Sequence, residues 1–245
     1  KCGRRHLAQE GWPTEWVYAD HLRVGDYVRV GLGHDAPRGT MSRDTGWMIG
    51  ALIGDGYLRE GNSSFTNQDP GVVERMSRCA DLIGAQMVTT GGGAKYQYHF
   101  RENGRRANAK MRTFLREHGI GGLTSYTKFV PESVMTGGRD AWIGFLSGMF
   151  DTDGTVRPIT AAQPVVRFDS VSRELLLGCQ HLLEMLGVQS SLTIHRGGFY
   201  NGQPHTMFNL SVCGRSEVAR LASILNSAHT KRSARLSAWA EAMPT

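Results

Sequence analysis

The chain has 245 residues, 40% of them apolar, which allows one large or two small globular domains and excludes a disordered protein. Its 28 basic and 22 acidic residues give a net charge of +6, a balance that favours a polyanionic partner. No apolar run reaches the roughly 18 residues of a membrane span, and no signal peptide is expected, so a membrane protein is not predicted. The cysteines and histidines lack zinc-site spacing, so a zinc-stabilised domain is not predicted either.

The first forty residues differ from the rest of the chain. Residues 15–30 are predicted to form a short helical turn, a Gly-Asp turn and a strand, and residues 31–40 a linker. This segment resembles the inner part of an intein splicing (Hint) domain, at the position where an endonuclease is inserted. The resemblance implies that residues 1–40 are a partial splicing-domain segment with its linker. An ordinary turn and strand is the alternative interpretation.

Two stretches about 100 residues apart share one pattern. Met48–Gly56 and Leu146–Gly154 are both apolar with helical spacing, and both end in Asp-Gly. Small residues recur four apart within each stretch: Gly50 and Gly54, and Gly148 and Thr152. Such a stripe lets two helices pack with their backbones close together. We predict that the first helix begins near Asp44 and the second near Asp140, with each Asp as the N-cap.

The other elements recur at a constant offset, which predicts two copies of one unit. Three pairs of like residues are 103 positions apart: Phe65 and Phe168, Gly84 and Gly187, and Lys128 and Lys231. The predicted elements are glycine-capped helices over 74–84 and 173–187, alternating strands over 95–101 and 191–195, hairpin turns at 103–104 and 201–202, and helices over 108–118 and 215–227. The fold class is therefore α+β, with repeats over residues 41–137 and 138–245.

Both Asp-Gly stretches resemble the signature of the LAGLIDADG homing endonucleases. The second stretch matches the signature at Leu146, Gly148, Asp151, Asp153 and Gly154. The first keeps Gly50, Asp55 and Gly56 but has Ile53 where an Asp is common. The resemblance implies two pseudo-twofold-related αββαββα units with a saddle-shaped antiparallel sheet that binds DNA, in the monomeric form of intein origin. It also implies an intracellular enzyme of a prokaryotic or phage host that cuts both strands of a long, pseudo-symmetric DNA target.

Asp55 and Asp153 are the predicted metal ligands, one from each repeat. Each lies at the carboxyl end of its helix, where the helix dipole disfavours a carboxylate unless a cation compensates it. Oxygen-rich, partly open sites suit Mg²⁺, which can activate water for phosphodiester hydrolysis. The resemblance implies Mg²⁺ or Mn²⁺ for cleavage, with Ca²⁺ as a non-cleaving substitute. Gly54 and Thr152, which precede the two acids, are included in the predicted site.

Two lysines are predicted to assist catalysis. Lys128 stands in a Tyr-Thr-Lys-Phe-Val-Pro run that resembles a later block of intein endonucleases, which implies a basic residue near the scissile phosphate. Lys231 is its counterpart by offset, in a different local context. A solvated surface lysine is the alternative interpretation of each. Asp151 has Ile53 as its counterpart, so it is predicted to be structural or to support the ligands.

The predicted strands offer polar faces for DNA binding. Side-chain donors on such a face can contact guanine and adenine edges in a major groove, and a merely solvated face is the alternative interpretation. In the first repeat the predicted contacts are Lys95, Gln97, His99, Arg101, Arg105 and Arg106. In the second repeat they are Thr193, His195 and Arg196. Phosphate contacts are predicted for Arg59, Arg157 and Arg167.

Two other functions stay open at this point. A catalytically inactive LAGLIDADG-type module that binds DNA or RNA, including an RNA maturase, would keep the fold without cleavage, although the presence of both acids argues against it. A fragment of a self-splicing intein is the other alternative. The chain contains no Thr-x-x-His and no His-Asn, and Cys2 lacks the usual surroundings of a splicing nucleophile, so splicing by the chain as given is not expected.

Overall fold

The same order of helices and strands occurs twice along the chain. The structure, a computed structural model, describes residues 15–26, 28, 32–59, 61–89, 95–102, 109–200 and 203–242. The first unit comprises α1 (Arg43–Asp55), β1 (Gly56–Tyr57), β2 (Ser64–Thr66), α2 (Pro70–Leu82), β3 (Gln86–Thr89), β4 (Gln97–Arg101), α3 (Ala109–Glu117) and α4 (Glu132–Met135). The second comprises α5 (Arg139–Asp153), β5 (Gly154–Val156), β6 (Val165–Ser170), α6 (Arg173–Met185), β7 (Ser191–Tyr200), β8 (Gln203–Cys213), α7 (Arg215–Ile224) and α8 (Thr230–Glu241). The predicted αββαββα order is confirmed.

Each unit contributes one four-stranded antiparallel sheet. The strand orders are β1-β2-β4-β3 and β5-β6-β8-β7, so the two sheets have the same topology. The register agrees as well, because Gly56 pairs with Phe65 in the first sheet and Gly154 pairs with Phe168 in the second. Both phenylalanines are fully buried. The recurring aromatic residue therefore occupies the equivalent position in each unit.

The predicted hairpin of the second unit is confirmed, whereas the strand predicted to begin the hairpin of the first unit pairs with a different strand. Strands β7 and β8 pair as far as Tyr200 and Gln203, which leaves residues 201–202 as the connection that was predicted. In the first unit β4 pairs with β3, which precedes it, and the predicted turn at 103–104 lies outside the described residues. Alternation alone does not tell on which side a strand finds its partner, and a glycine run at 91–93 was an equally strong turn signal.

Helices α1 and α5 pack against each other at the centre of the molecule. A Cβ atom on Gly50 would lie 2.2 Å from the carbonyl oxygen of Phe145, and one on Gly148 would lie 2.2 Å from that of Trp47. The two backbones are therefore in direct contact, as the stripe of small residues predicted. The stripe is longer than predicted, because Gly46 and Gly144 extend it one turn towards the helix amino termini. Away from this contact each helix is buried in its own unit.

The amino-terminal ends of α1 and α5 differ from the prediction. Ser42 is the N-cap of α1 and accepts a hydrogen bond from the Thr45 amide, while Gly138 precedes α5 without a side-chain cap. The two predicted cap residues instead lie in the first turns, where a carboxylate is favoured by the helix dipole, and both bind arginines. These pairs are Asp44 with Arg75 at 2.8 Å and Asp140 with Arg43 at 2.5 Å. The predicted glycine C-caps are confirmed, with positive φ at Gly84 and Gly187.

The segment before α1 lies against the second unit. The Gly33 amide donates to the Glu184 carbonyl at 3.0 Å, at the end of α6. The predicted Gly-Asp turn is present, with φ of 112° at Gly25, whereas most of the predicted strand after it lies outside the described residues. The likeness of this segment to a splicing domain stays a prediction. In the described parts of the chain, no helix has the length and apolar character that crossing a membrane requires.

Candidate active site at the paired helix ends

The carboxyl ends of α1 and α5 meet, and each ends in an aspartate. Immediately before the acids, a Cβ atom on Gly54 would lie 2.0 Å from Oγ1 of Thr152. Asp55 and Asp153 are the last residues of the two helices, so this contact brings the two carboxyl groups together. The backbone then turns into β1 and β5, which opens the site towards the sheets. The structure thus places one acid from each repeat in a single site.

Both carboxyl groups are more difficult to ionise than a solvated aspartate. Burial raises the pKa of Asp153 to about 6, against the opposing effect of Lys128, and the charge of Asp55 adds to the rise. Burial also raises the pKa of Asp55, although Asn67 donates to its Oδ2 at 2.6 Å and stabilises the charged form. Two partly buried carboxyl groups that keep raised pKa values are an arrangement whose ionised form a divalent cation would stabilise.

Two cations lie beside the acids, one from each repeat. Lys128 Nζ donates to the Gly54 carbonyl at 2.9 Å, and Arg232 Nη1 donates to the carbonyls of Phe150 and Asp151. Each cation therefore binds the last carbonyl groups of the signature helix in its own repeat. This contact opposes the negative end of the helix dipole, where the acids are otherwise unfavourable.

Each cation acts most strongly on the acid of the other repeat. Burial lowers the pKa of both Lys128 and Arg232, whereas the acids raise it. For Lys128 the larger of these effects comes from Asp153, and for Arg232 it comes from Asp55. Each acid and the cation that most favours its charged form thus belong to different repeats.

Arg232, which the sequence reasoning missed, stands where the offset predicted Lys231. Lys231 is exposed near the start of α8, while the next residue is half-buried and reaches the site. One step along a helix turns a side chain by about 100°, so only one of two adjacent residues can face the acids. The offset of 103 residues between the repeats aligned Lys128 with Lys231, so Arg232, the next residue, was not considered. A second basic residue directly beside Lys231 was the signal in the sequence that could have identified Arg232.

The polar groups of the two remaining residues of the predicted metal site already have partners within the protein. The Gly54 carbonyl already accepts from Lys128, and the Thr152 hydroxyl donates to the Gly148 carbonyl of its own helix at 2.9 Å. Among the described residues, no three or more His, Cys, Asp or Glu side chains form a group that could hold a metal. Two carboxylates still fit Mg²⁺ or Mn²⁺, because Mg²⁺ commonly keeps several waters and takes only one or two protein carboxylates.

A polar groove leads from Asp55 onto the first sheet. It has a volume of about 500 Å³, and its lining includes Lys128, Ser64, Thr66 and Gln97. The strand register places the predicted contacts on this solvent-facing side: Gln97 opposite Thr66, His99 opposite Ser64, and Arg101 opposite Gln86. Lys95 and Arg59 are exposed in the adjoining loops. Arg105 and Arg106 lie outside the described residues.

The second sheet has a comparable face. Arg167 lies opposite Ser211, Thr193 opposite Asn209, and His195 opposite Met207, so the three predicted contacts share one side of the sheet. Arg157 is exposed just after β5, and the Arg196 side chain lies outside the described part of the chain. Sequence reasoning missed Asp169 on this face, which accepts from Arg167 Nε at 3.1 Å and from Asn209 Nδ2 at 2.6 Å.

Curated relatives align with most of this chain. It is 26% identical over 235 residues to the replicative DNA helicase DnaB of Rhodothermus marinus, and 28% identical over 198 residues to the DNA-directed RNA polymerase subunit Rpo1C of Methanocaldococcus jannaschii. These alignments cover 91% and 75% of this chain but 24% and 21% of the relatives. The chain therefore spans about a quarter of the length of the curated relatives it matches.

Solved structures show the same fold. Variants of the homing endonuclease I-DmoI match with a TM-score of 0.51 at 16% identity, over 76% of this chain and 96% of theirs. Full-length DUF199/WhiA from Thermatoga maritima matches with a TM-score of 0.52 at 9% identity, over 86% of this chain and 63% of its own. Residues 140–226 match the family model of the LAGLIDADG-like domain. The second unit therefore matches a LAGLIDADG-like domain, and the first unit repeats its fold around the paired helices α1 and α5.

Proposed function

We propose that the protein is a sequence-specific DNA endonuclease of the homing type, which hydrolyses both strands of a duplex with divalent metal ions. One observation carries the proposal: Asp55 and Asp153 meet at the joined ends of α1 and α5, with a cation beside each acid. I-DmoI variants of the same fold were crystallised with their target DNA in the presence of Mn or Mg, which supports the same ligand and the same ions here.

The residues of the site would divide the work between metal binding and charge compensation. Asp55 and Asp153 would hold Mg²⁺ or Mn²⁺, and an ion bound there would supply an activated water and stabilise the leaving oxygen. Lys128 keeps its ammonium group beside Asp153 and on the Gly54 carbonyl. From that position it can neutralise charge that develops on a phosphate approaching the acids. Closure of the site against water is not required, because water is the second substrate.

The solvent faces of the two sheets would bind the duplex on either side of the acids. The groove that begins at Asp55 continues over Gln97, and the equivalent face of the second sheet carries Arg167 and Thr193. A net charge of +6 favours a polyanion over the whole molecule. Since one chain supplies both acids and both faces, the proposed enzyme is a monomer that recognises a long, pseudo-symmetric site. The proposed repeats are residues 41–137 and 138–245, and residues 1–40 are the proposed splicing-domain segment.

The test begins with a search for the target. Incubation of the protein with Mg²⁺ and a plasmid library of random inserts, followed by sequencing of the linear products, should yield one recurrent cut site. On that site Asp55→Asn and Asp153→Asn should each abolish double-strand cleavage, while binding in Ca²⁺ stays within about threefold of the wild type. Asp81→Asn, on the exposed side of α2, is the control and should cut normally. If both site variants cut at the wild-type rate, the site is misassigned.

A LAGLIDADG module that binds nucleic acid without cutting it is the second candidate. One observation favours it: burial raises the pKa of both acids, so a metal ion must compete with a proton that each acid holds more tightly than a solvated aspartate does. This candidate predicts salt-dependent binding to duplex DNA or to structured RNA with no nick at any concentration of Mg²⁺ or Mn²⁺. Tighter binding to structured RNA than to duplex DNA would select the maturase form of this candidate.

A further inference from the structure

Asp151 is a buried acid that the first repeat replaces with an apolar residue. Its side chain is inaccessible to solvent, and so is that of Ile53 at the equivalent position of α1. Packing alone does not require a carboxylate here, because the apolar residue fills the same place in the other helix. A buried charge is costly unless hydrogen bonds compensate it. The partners of Asp151 therefore indicate its role.

Four donors converge on the Asp151 carboxylate, and three of them come from one short segment. Ser227 Oγ donates at 2.5 Å, the Ala228 amide at 2.8 Å and the His229 amide at 3.3 Å. The fourth donor, Trp47 Nε1 at 2.8 Å, belongs to the first repeat. The carboxylate thus fixes the backbone of residues 227–229 against the paired signature helices.

The segment that Asp151 holds is the start of helix α8. His229 is the N-cap of that helix, and Arg232 lies in its first turn. Arg232 Nη1 in turn donates to the Asp151 carbonyl. Asp151 therefore contacts the beginning of α8 through its side chain and the cation of α8 through its backbone. Rotation or retreat of this turn would carry Arg232 away from Asp55.

The first repeat positions its cation without such a buried carboxylate. Lys128 lies in a loop, and its carbonyl accepts a hydrogen bond at 2.5 Å from Oγ of Ser172, the N-cap of α6 in the second repeat. No equivalent of the Asp151 carboxylate exists at Ile53. Asp69, the N-cap of α2 and the counterpart of Ser172 by offset, likewise accepts from Thr230 at the start of α8. The Asp151 carboxylate is therefore an additional contact that only the second half of the site has.

We infer that Asp151 is a positioning residue that holds the start of α8 and thereby keeps Arg232 beside Asp55 as the second-repeat counterpart of Lys128. This inference rests on the proposed nuclease function. It predicts that each DNA strand is cut by one half of the site, and that only one of the two halves depends on the Asp151 contacts. Damage to the Asp151 contacts slows the cutting of one strand, and loss of Lys128 slows the cutting of the other.

The strand-specific test follows nicking of a supercoiled plasmid that carries the target site, together with cleavage of a linear duplex of that site labelled at the end of one strand or the other. Arg232→Ala and Asp151→Asn should both accumulate nicked circle with the same strand intact, and the second cut should slow roughly 100-fold. Lys128→Ala should leave the opposite strand intact. Arg235→Ala, an exposed arginine on the same helix, is the matched control and should cut both strands normally. If Asp151→Asn folds and slows the cutting of both strands equally, the inference is overturned. It is also overturned if Lys231→Ala, and not Arg232→Ala, gives the strand-specific defect.

Two further measurements separate a positioning role from a general loss of structure. Adding Asp151→Asn to Arg232→Ala should slow the second cut no further, and Arg232→Lys should restore at least a tenth of the wild-type rate. Additive effects in the double variant would contradict the inference. If Asp151→Asn does not fold, Ser227→Ala removes a single donor and should give the same strand preference in milder form; normal cutting of both strands by Ser227→Ala would count against it.

Amide hydrogen exchange tests the positioning without DNA, metal or activity. In the free protein, Asp151→Asn should speed exchange of the Ala228 and His229 amides at least tenfold and leave the amides in the middle of α6 unchanged. Arg235→Ala should change neither. Unchanged exchange at these two amides would refute the positioning role even if the protein cuts DNA. Conversely, a wild type that cuts no DNA would remove the proposed function while the exchange result still decides whether Asp151 holds the segment.

Discussion

Replacing Asp153 by asparagine should stabilise the free protein at the same time as it removes activity. Burial raises the pKa of Asp153 from 3.8 to about 6. A folded state that binds the proton more tightly has its full stability below pH 3.8 and loses stability as the pH rises through about 6. With roughly 1.4 kcal/mol for each pKa unit, the ionised carboxyl costs the folded protein about 3 kcal/mol at pH 8. Asparagine has nearly the same shape and carries no such cost.

The assay is urea unfolding, followed by tryptophan fluorescence, without metal or DNA. At pH 8 Asp153→Asn should exceed the wild type in unfolding free energy by about 3 kcal/mol, a value that already includes the attraction of the ionised carboxyl to Lys128. At pH 4 the difference should shrink to about 0.5 kcal/mol, because the carboxyl is then protonated in the folded wild type. Asp81→Asn, on the exposed side of α2, should change little at either pH. A variant no more stable than the wild type at pH 8, or a difference independent of pH, would refute the reasoning.

Four other predictions concern packing, the site and DNA binding. Gly148→Ala should lower the unfolding free energy by at least about 3 kcal/mol, because its Cβ would lie 2.2 Å from the Trp47 carbonyl oxygen. Gly61→Ala, the control, has open space around it and should be nearly neutral in the same urea titration. At limiting Mg²⁺, single-turnover cleavage should rise with pH through about 6 as Asp153 ionises, and saturating Mg²⁺ should move the midpoint lower because metal competes with the proton. Lys128→Ala should slow single-turnover cleavage more than it weakens binding in Ca²⁺; the reverse would make this lysine a phosphate anchor. DNA affinity should fall steeply between 50 and 200 mM salt, roughly 10³-fold if six phosphates are contacted, and a flat response would argue against a backbone groove.

The centre of the fold was predictable because its chemistry is local and repeated. A close helix pair needs small residues four apart, and the sequence shows them in both stretches, so the contact of Gly50 and Gly148 with the opposite backbone followed directly. The meeting of Asp55 and Asp153 followed from the same contact. The strand order was not predictable, since alternation in β4 left open whether its partner precedes or follows it.

The residues that were missed depend on contacts between distant segments. Arg232 and Lys231 are equally basic in sequence, and only the rotation of α8 decides which of them faces the acids. Asp44 and Asp140 are good caps by type, but each binds an arginine from another element, so Ser42 caps α1 instead. In both cases a partner far away in the chain decides between alternatives that are locally equivalent.

The crossed arrangement of acids and cations has a consequence for the history of such a chain. Lys128 has the stronger effect of the two cations on the pKa of Asp153, and Arg232 has the stronger effect on that of Asp55, so neither repeat carries both an acid and its main compensating charge. A substitution of a cation in one repeat therefore alters the charge around the acid of the other repeat. Recombination that exchanges a single repeat between relatives would bring together an acid and a cation that had never been selected as neighbours, and the hybrid would need compensating changes before it reached the activity proposed for this chain.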